Sequence, residues 1–234
     1  MNKTIVVTGG TKGIGKAIIE KAALNGFDII TCARNKDYLH ELKEDIEGKF
    51  ESRLSFLPTD MSRKEEVEEF VRFIEGITET VDVLVNNAGV FLPGEIHKED
   101  EGALEKMINT NLYSAYYLTR GLLPSMIRRK SGHIFNMCST ASIIPYVNGG
   151  SYCISKFALL GFSKVLREEM KDKGIRVTSI LPGATFTASW EGVELPEERF
   201  MRPEDVADAL WNAYDLSDRT VMEEVILRPM LGDI

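Results

Sequence analysis

The chain has 234 residues, 44% of them hydrophobic and 27% charged, with a formal net charge of -8 at pH 7. That length admits a single α/β domain whose core needs neither metal nor disulfide. The acidic balance speaks against a protein that coats DNA or RNA, and no apolar run approaches the ~20 residues of a membrane span, so neither nucleic acid nor membrane is expected as a partner.

Met1-Asn2-Lys3-Thr4 leads directly into a β-branched run at Thr4–Thr8, with no secretory signal before it; a cytoplasmic location is expected. Further strand-like runs follow at Asp28–Cys32, Leu54–Leu57, Val81–Val85, His133–Cys138, Arg176–Leu181 and Glu224–Arg228. Most are nearly continuous apolar stretches, as strands covered on both faces should be. Between them lie helix-like stretches at Gly13–Asn25, Lys36–Glu47, Arg63–Glu75, Glu99–Arg129, Ser151–Asp172 and Pro203–Tyr214. Ser62 with Glu65 has the spacing of a capping box, and Pro203 suits a first helical turn. Strand alternating with helix implies βαβ units and a doubly wound parallel sheet of about seven strands in a three-layer α/β/α domain. No repeat or linker divides residues 1–234. The run Lys64-Glu65-Glu66-Val67-Glu68-Glu69 is a solvated helix face, and 94–102 is a polar loop. Cys32, Cys138 and Cys153 are odd in number with no Cys-x-x-Cys, and His40, His97 and His133 are scattered. Reduced thiols and no metal site are expected.

Thr8-Gly9-Gly10-Thr11-Lys12-Gly13-Ile14-Gly15 joins the first strand to the first helix. There, backbone N–H groups and the helix dipole face an anion, and the missing side chains let a pyrophosphate approach. A purely structural turn would need only one glycine. A phosphate loop for nucleoside triphosphates would need a hydroxyl where Ala17 stands, and the common Gly-x-Gly-x-x-Gly pattern would need glycine where Ile18 stands. The loop instead reads Thr-Gly-x-x-x-Gly-x-Gly, and in this it resembles the short-chain dehydrogenase/reductase family, in the branch with chains of about this length.

Other segments carry the same resemblance. Asn86-Asn87-Ala88-Gly89 ends the fourth strand, Ser139 ends the fifth, and Tyr152 lies thirteen residues after Ser139 with Lys156 four further on. Tyr152 and Lys156 share one helix face. A free phenol has pKa ~10, and lowering it toward neutrality takes about 4 kcal/mol, which a nearby ammonium and a positive nicotinamide ring can supply. The resemblance implies a catalytic set of Asn111, Ser139, Tyr152 and Lys156, with Asn111 anchoring a water and Ser142 a weaker rival for Ser139. It implies that the Pro182-Gly183 segment and Thr185 hold the nicotinamide carboxamide, that the Thr187 hydroxyl holds the carboxamide or the pyrophosphate, and that hydride transfer is pro-S. Cofactor contacts are expected at Gly9, Thr11, Lys12, Gly13, Ile14, Gly15, Arg34, Asn86, Asn87, Ala88 and Gly89, with Asp60 on the adenine amino group and Met61 over the ring edge. The second strand ends with Ala33 where a carboxylate would bind a ribose 2′-OH, followed by Arg34, with Lys12 nearby. Two cations and no carboxylate favour NADP(H) over NAD(H).

The implied activity is hydride transfer between NADP(H) and a small carbonyl or alcohol; ketones, aldehydes, 3-oxoacyl thioesters, pterin side-chain ketones and sugars stay open. An NADP(H)-binding sensor without turnover, or an NAD-dependent alcohol dehydrogenase, are the alternatives. A short lid is expected at about 188–202, with Phe91, Ile144, Tyr146 and Trp190 as walls, and Glu191, Glu194, Glu197 and Glu198 turning away polyanions. Cys138 and Cys153 flank the catalytic residues, so thiol reagents are expected to inhibit and NADPH to protect. A homodimer or homotetramer is implied, joined through Ala115, Leu118, Leu122, Phe157, Leu160 and Val165.

Overall fold

The computed structural model describes residues 2–187 and 194–234. Seven strands form one sheet: β1 (Thr4–Thr8), β2 (Asp28–Ala33), β3 (Leu54–Pro58), β4 (Val83–Asn86), β5 (Gly132–Met137), β6 (Ile175–Pro182) and β7 (Glu224–Leu227). Their order is β3-β2-β1-β4-β5-β6-β7, and every pairing is parallel. The order reverses between β1 and β4, so a crevice opens at the carboxyl ends of those two strands, where such sheets bind ligands. All five residues of β1 are buried, as its unbroken Ile-Val-Val run requires. The edge strand β7 alternates exposed and half-buried residues.

The helices are α1 (Gly13–Leu24), α2 (Lys36–Lys49), α3 (Lys64–Ile77), α4 (Ala103–Ile108), α5 (Ser114–Arg129), α6 (Gly150–Met170) and α7 (Pro203–Tyr214). Residues of α1, α2 and α7 build the core on one sheet face, among them Ile18, Ile19, Leu42 and Leu210. Residues of α3, α5 and α6, including Phe70, Leu118 and Leu166, build it on the other.

Two local expectations are corrected. The helix expected over Glu99–Arg129 begins only at Ala103, after Gly102 at φ +87°, and is interrupted by a π-turn over Asn109–Tyr113. Single π-turns cluster at functional sites, and this one carries Asn111. Ser62 does not cap α3; Arg63 holds the cap position without a side-chain bond. The Ser62 hydroxyl donates instead to Asp60 Oδ1 at 2.7 Å, and Glu66 rather than Glu65 reaches back to the Asp60 N–H. Pro203 does open α7.

Candidate active site

The glycine loop and the Asn86–Gly89 turn are fastened together at the crevice. Thr8 Oγ1 accepts the N–H groups of Asn87 and Ala88 at 3.0 and 2.9 Å. The Asn87 amide donates back to the carbonyls of Thr8 and Gly9 at 2.9 and 3.2 Å. A Cβ on Gly15 would overlap the Gly9 carbonyl and stand 2.6 Å from Asn87 Nδ2, so close approach fixes glycine there. At the start of α1 no side chain caps the first turn and no acidic residue lies within it. An uncapped helix start with close backbone approach fits a pyrophosphate. Thr187 faces the loop, its Cγ2 2.9 Å from where a Gly13 Cβ would be. Asn86 departs from the expected contact. Its side chain is buried beneath the turn, donating to Thr119 Oγ1 and Asn136 Oδ1 at 2.9 and 2.8 Å, so it supports the turn from within the core.

Just past the carboxyl end of β2, Arg34 is exposed and acts through space on Asp60. Burial pushes the Asp60 carboxyl up, but hydrogen bonds from Ser62 and the charges of Arg34 and Arg63 outweigh it and hold the group below its usual range. Lys12 Nζ lies 4.5 Å from the centre of the Tyr38 ring, a cation–π contact. Met61 is packed into the core at 6% exposure, which leaves little of its thioether to cover a ring.

The remaining residues meet around a cavity of about 610 Å³. Ile14, Asn87, Gly89, Ser139, Tyr152, Lys156, Pro182, Gly183, Thr185 and Thr187 all line it. Phe91, Ile144 and Tyr146 do so as expected walls; Trp190, Glu191 and the first part of the 188–202 lid lie outside the described residues. The end of that segment is tied down, with Phe186 N–H donating to Met201 O and Met201 N–H to Ala184 O. Asp233 and Ile234 also border the cavity. Nothing in the sequence pattern pointed to them, because only the tertiary path beyond β7 brings them there. The Arg228 guanidinium holds Asp233 Oδ2 at 2.5 Å.

Tyr152 lies in the first turn of α6, and Phe91 packs edge-on against its ring at 4.8 Å between centres. Ser139 lies two residues beyond β5, at the cap of a short 3-10 turn, and accepts the Ala141 N–H at 3.1 Å, while Ser142, only 1% exposed, accepts the Ser139 N–H at 3.2 Å. Ser142 therefore holds the backbone that presents Ser139. Lys156 is buried, and its Nζ donates to the Met137 carbonyl at 2.8 Å. Asn111 is bound on three sides: it accepts from Val90 N at 2.8 Å and donates to Val90 O and Ser155 Oγ at 3.0 and 2.9 Å.

The electrostatics differ from the sequence expectation. Burial lifts the Tyr152 phenol above its usual value, and the neighbouring Ser139 hydroxyl offsets this only in part. Burial lowers the Lys156 ammonium to about 8, with Cys138 a weaker opposing influence. Its Nζ stands 5.8 Å from the Tyr152 ring centre and is directed at Met137. In this state the phenol keeps its proton.

The expectation for the thiols is reversed. Cys32, Cys138 and Cys153 are free but at most 5% exposed. Burial pushes Cys32 up to about 12 and Cys138 above its usual value. Only exposed thiolates react readily. A thiol-disulfide dye added to the folded protein is therefore expected to label none of the three until denaturant is added; rapid labelling under native conditions would contradict this burial.

The oligomer face is also redrawn. Ala115, Leu118, Leu122 and Leu160 point into the chain's own core, at 0–5% exposure, whereas Phe157 and Val165 are exposed at 44% and 58%.

A family model described as short chain dehydrogenase matches residues 3–198. Sepiapterin reductase of Chlorobaculum tepidum is 33% identical, across 100% of this chain and 99% of its own. Among solved structures, alcohol dehydrogenase from Thermococcus sibiricus complexed with 5-hydroxy-NADP superposes with a TM-score of 0.93 at 26% identity, over 100% of this chain and 99% of that one. L-Sorbose reductase from Gluconobacter frateurii, complexed with NADPH and L-sorbose, gives 0.90 at 28% identity, over 97% and 95%.

Proposed function

The chain belongs to the short chain dehydrogenase family, and from that premise we propose that it reduces a small ketone or aldehyde with NADPH, using Tyr152 as the proton donor. One observation carries the reading: Ser139, Tyr152 and Lys156 line the same cavity as Thr185 and Thr187, at the carboxyl end of the sheet. The solved relatives that carry NADP(H) support the choice of cofactor.

When bound, the nicotinamide supplies the hydride to the carbonyl carbon. The chain does the rest. Tyr152 donates its phenolic proton to the carbonyl oxygen. Ser139 donates a second hydrogen bond to that oxygen and keeps it within reach of Tyr152. Lys156, which gives one N–H to Met137 O, would bind ribose hydroxyls with its remaining donors and help Tyr152 recover its proton. Asn111 keeps the π-turn and Val90 in place beside Lys156. The uncapped start of α1, with Thr11, Gly13, Ile14 and Gly15, would hold the pyrophosphate. Asn87, Ala88 and Gly89 would border the cofactor, and Asp60 would accept from the adenine amino group. Phe91, Ile144 and Tyr146 favour a compact, apolar substrate body.

Arg34 and Lys12 would hold a 2′-phosphate. Charge-assisted bonds of this kind contribute about 1.5–3 kcal/mol. Arg34→Ala is accordingly expected to weaken NADPH binding by about tenfold or more, leaving NADH nearly unaffected. Fluorescence titration with both cofactors measures it. Equal affinity of the unaltered protein for NADPH and NADH would overturn the preference.

A panel of ketones, aldehydes, diketones and open-chain sugars, followed by loss of NADPH absorbance, tests the reading itself. Turnover with at least one compact carbonyl is expected; a protein that binds NADPH yet reduces none of them would be a sensor rather than a reductase. We further propose a homo-oligomer joined through the exposed parts of α5 and α6, around Tyr116, Ile154, Phe157 and Val165.

A further inference from the structure

Helix α6 is 21 residues long, yet its own sequence supplies no cap: Gly149 stands at the cap position with no side-chain bond, and its first turn has no acidic residue. Such a start leaves N–H groups without partners and a partial positive charge. A carboxylate from 52 residues upstream covers it. Glu99 Oε1 accepts the Ser151 N–H at 2.8 Å, and Glu99 Oε2 accepts the Ser151 hydroxyl. Ser151 directly precedes Tyr152.

The segment carrying Glu99 touches the site twice more. Phe91 lies against the Tyr152 ring, and Val90 is held by Asn111. Between these points Gly94 N–H donates to Asn148 O at 2.9 Å, bridging the loop to the residues just before α6. The fit is close: a Cβ on Gly150 would overlap Glu99 Oε1 and come within 2.5 Å of the Gly94 carbonyl.

We propose that Glu99 is a positioning residue: its carboxylate latches the loop before α4 onto the first turn of α6 and thereby fixes where Tyr152 stands. The inference rests on the reductase reading for its effect on rate, but the latch itself exists without cofactor or substrate. Misplacing a reacting group by about 1 Å can cost ~10²-fold in rate. Glu99 is not among the residues that line the cavity, so loss of its carboxylate is expected to act on the chemical step and to spare cofactor affinity.

The test compares Glu99→Ala with Glu99→Gln. An amide oxygen can still accept the Ser151 N–H, and its N–H₂ can donate to the Ser151 hydroxyl, so Gln keeps the latch while Ala removes it. Amide hydrogen exchange on the cofactor-free protein reads residues 151–154 directly. Glu99→Ala is expected to exchange faster there and nowhere in β1 or β4, with Glu99→Gln close to the unaltered protein. With 2,3-butanedione and NADPH, Glu99→Ala is expected to lose about 10–100-fold in kcat with little change in Kd for NADPH, and Glu99→Gln to recover most of it. Unchanged exchange in Glu99→Ala, or a Gln variant as impaired as the Ala variant, would overturn the proposal. If Glu99→Ala fails to fold, Glu99→Gln and Ser151→Ala decide: the first should stay near the unaltered protein, the second should loosen the same turn. An unaltered protein that reduces no carbonyl would count against the reductase reading alone, since the exchange experiment still judges the latch.

Discussion

Replacing Tyr152 with Phe is expected to lower kcat for NADPH-dependent carbonyl reduction by about 10²–10⁴-fold, the range that a positioned general acid contributes. The ring and its edge-on contact with Phe91 survive this change, and only the phenolic oxygen is lost. NADPH affinity should therefore stay within about twofold, the signature of an interaction made in the transition state alone. Burial holds the phenol protonated in the cofactor-free protein, which is the form a reduction requires. Single-turnover kinetics with fluorescence-measured Kd separates the two quantities. Loss of NADPH binding along with turnover would mean that Tyr152 holds the site together rather than donating a proton.

Lys156→Met is expected to abolish most activity yet make the protein more stable near neutrality. The ammonium is buried and its pKa falls from 10.5 to about 8. Its charged form is thus disfavoured in the folded state. Between pH 8 and 10.5 the unfolded chain binds more protons than the folded one, so stability of the unaltered protein rises with pH across that window, and the full penalty applies below it. Methionine has similar length and no charge. It removes the penalty but also the hydrogen bond to Met137 O. The net gain should be about 0.5–2 kcal/mol at pH 7, after subtracting a charge-assisted bond, and should be gone by about pH 10. Urea unfolding at pH 7 and pH 10 measures it; a destabilised variant at pH 7 would mean that the ammonium is better solvated than its surroundings indicate. In the unaltered enzyme, reduction should slow as pH rises through about 8, where Lys156 loses its charge. Such a group, costly for folding and placed at the reacting atoms, is the usual trade between stability and activity.

Most of the fold was legible because its signals are local. Unbroken runs such as Ile5-Val6-Val7 and Val83-Leu84-Val85 mark strands covered on both faces, and Pro203 marks a helix start. The glycine loop and the Tyr152–Lys156 pair were legible for the same reason, since close backbone approach and a shared helix face depend on spacing along the chain. What escaped depends on distant partners. Glu99 read as the first residue of a long helix, and only the folded chain brings it to Ser151. Asn86 sits in a binding motif, but its orientation is set by Thr119 and Asn136. The apolar faces of α5 and α6 read alike, although Leu118 and Leu122 meet the sheet while Phe157 and Val165 meet solvent. The π-turn at Asn109–Tyr113 has no sequence signature of its own. The upward push on the Tyr152 phenol in the cofactor-free protein escaped because the sequence shows the nearby ammonium but not the depth of burial.

Every role assigned to the site depends on direct hydride transfer with Tyr152 as the acid. Reduction of 2,3-butanedione, or of the most active carbonyl of the panel, with NADPH deuterated at the pro-S position tests it most directly. The expected product is an alcohol carrying one deuterium on the former carbonyl carbon, formed by the unaltered protein and not measurably by Tyr152→Phe. An alcohol free of deuterium, or a Tyr152→Phe variant that turns over at the unaltered rate, would contradict it.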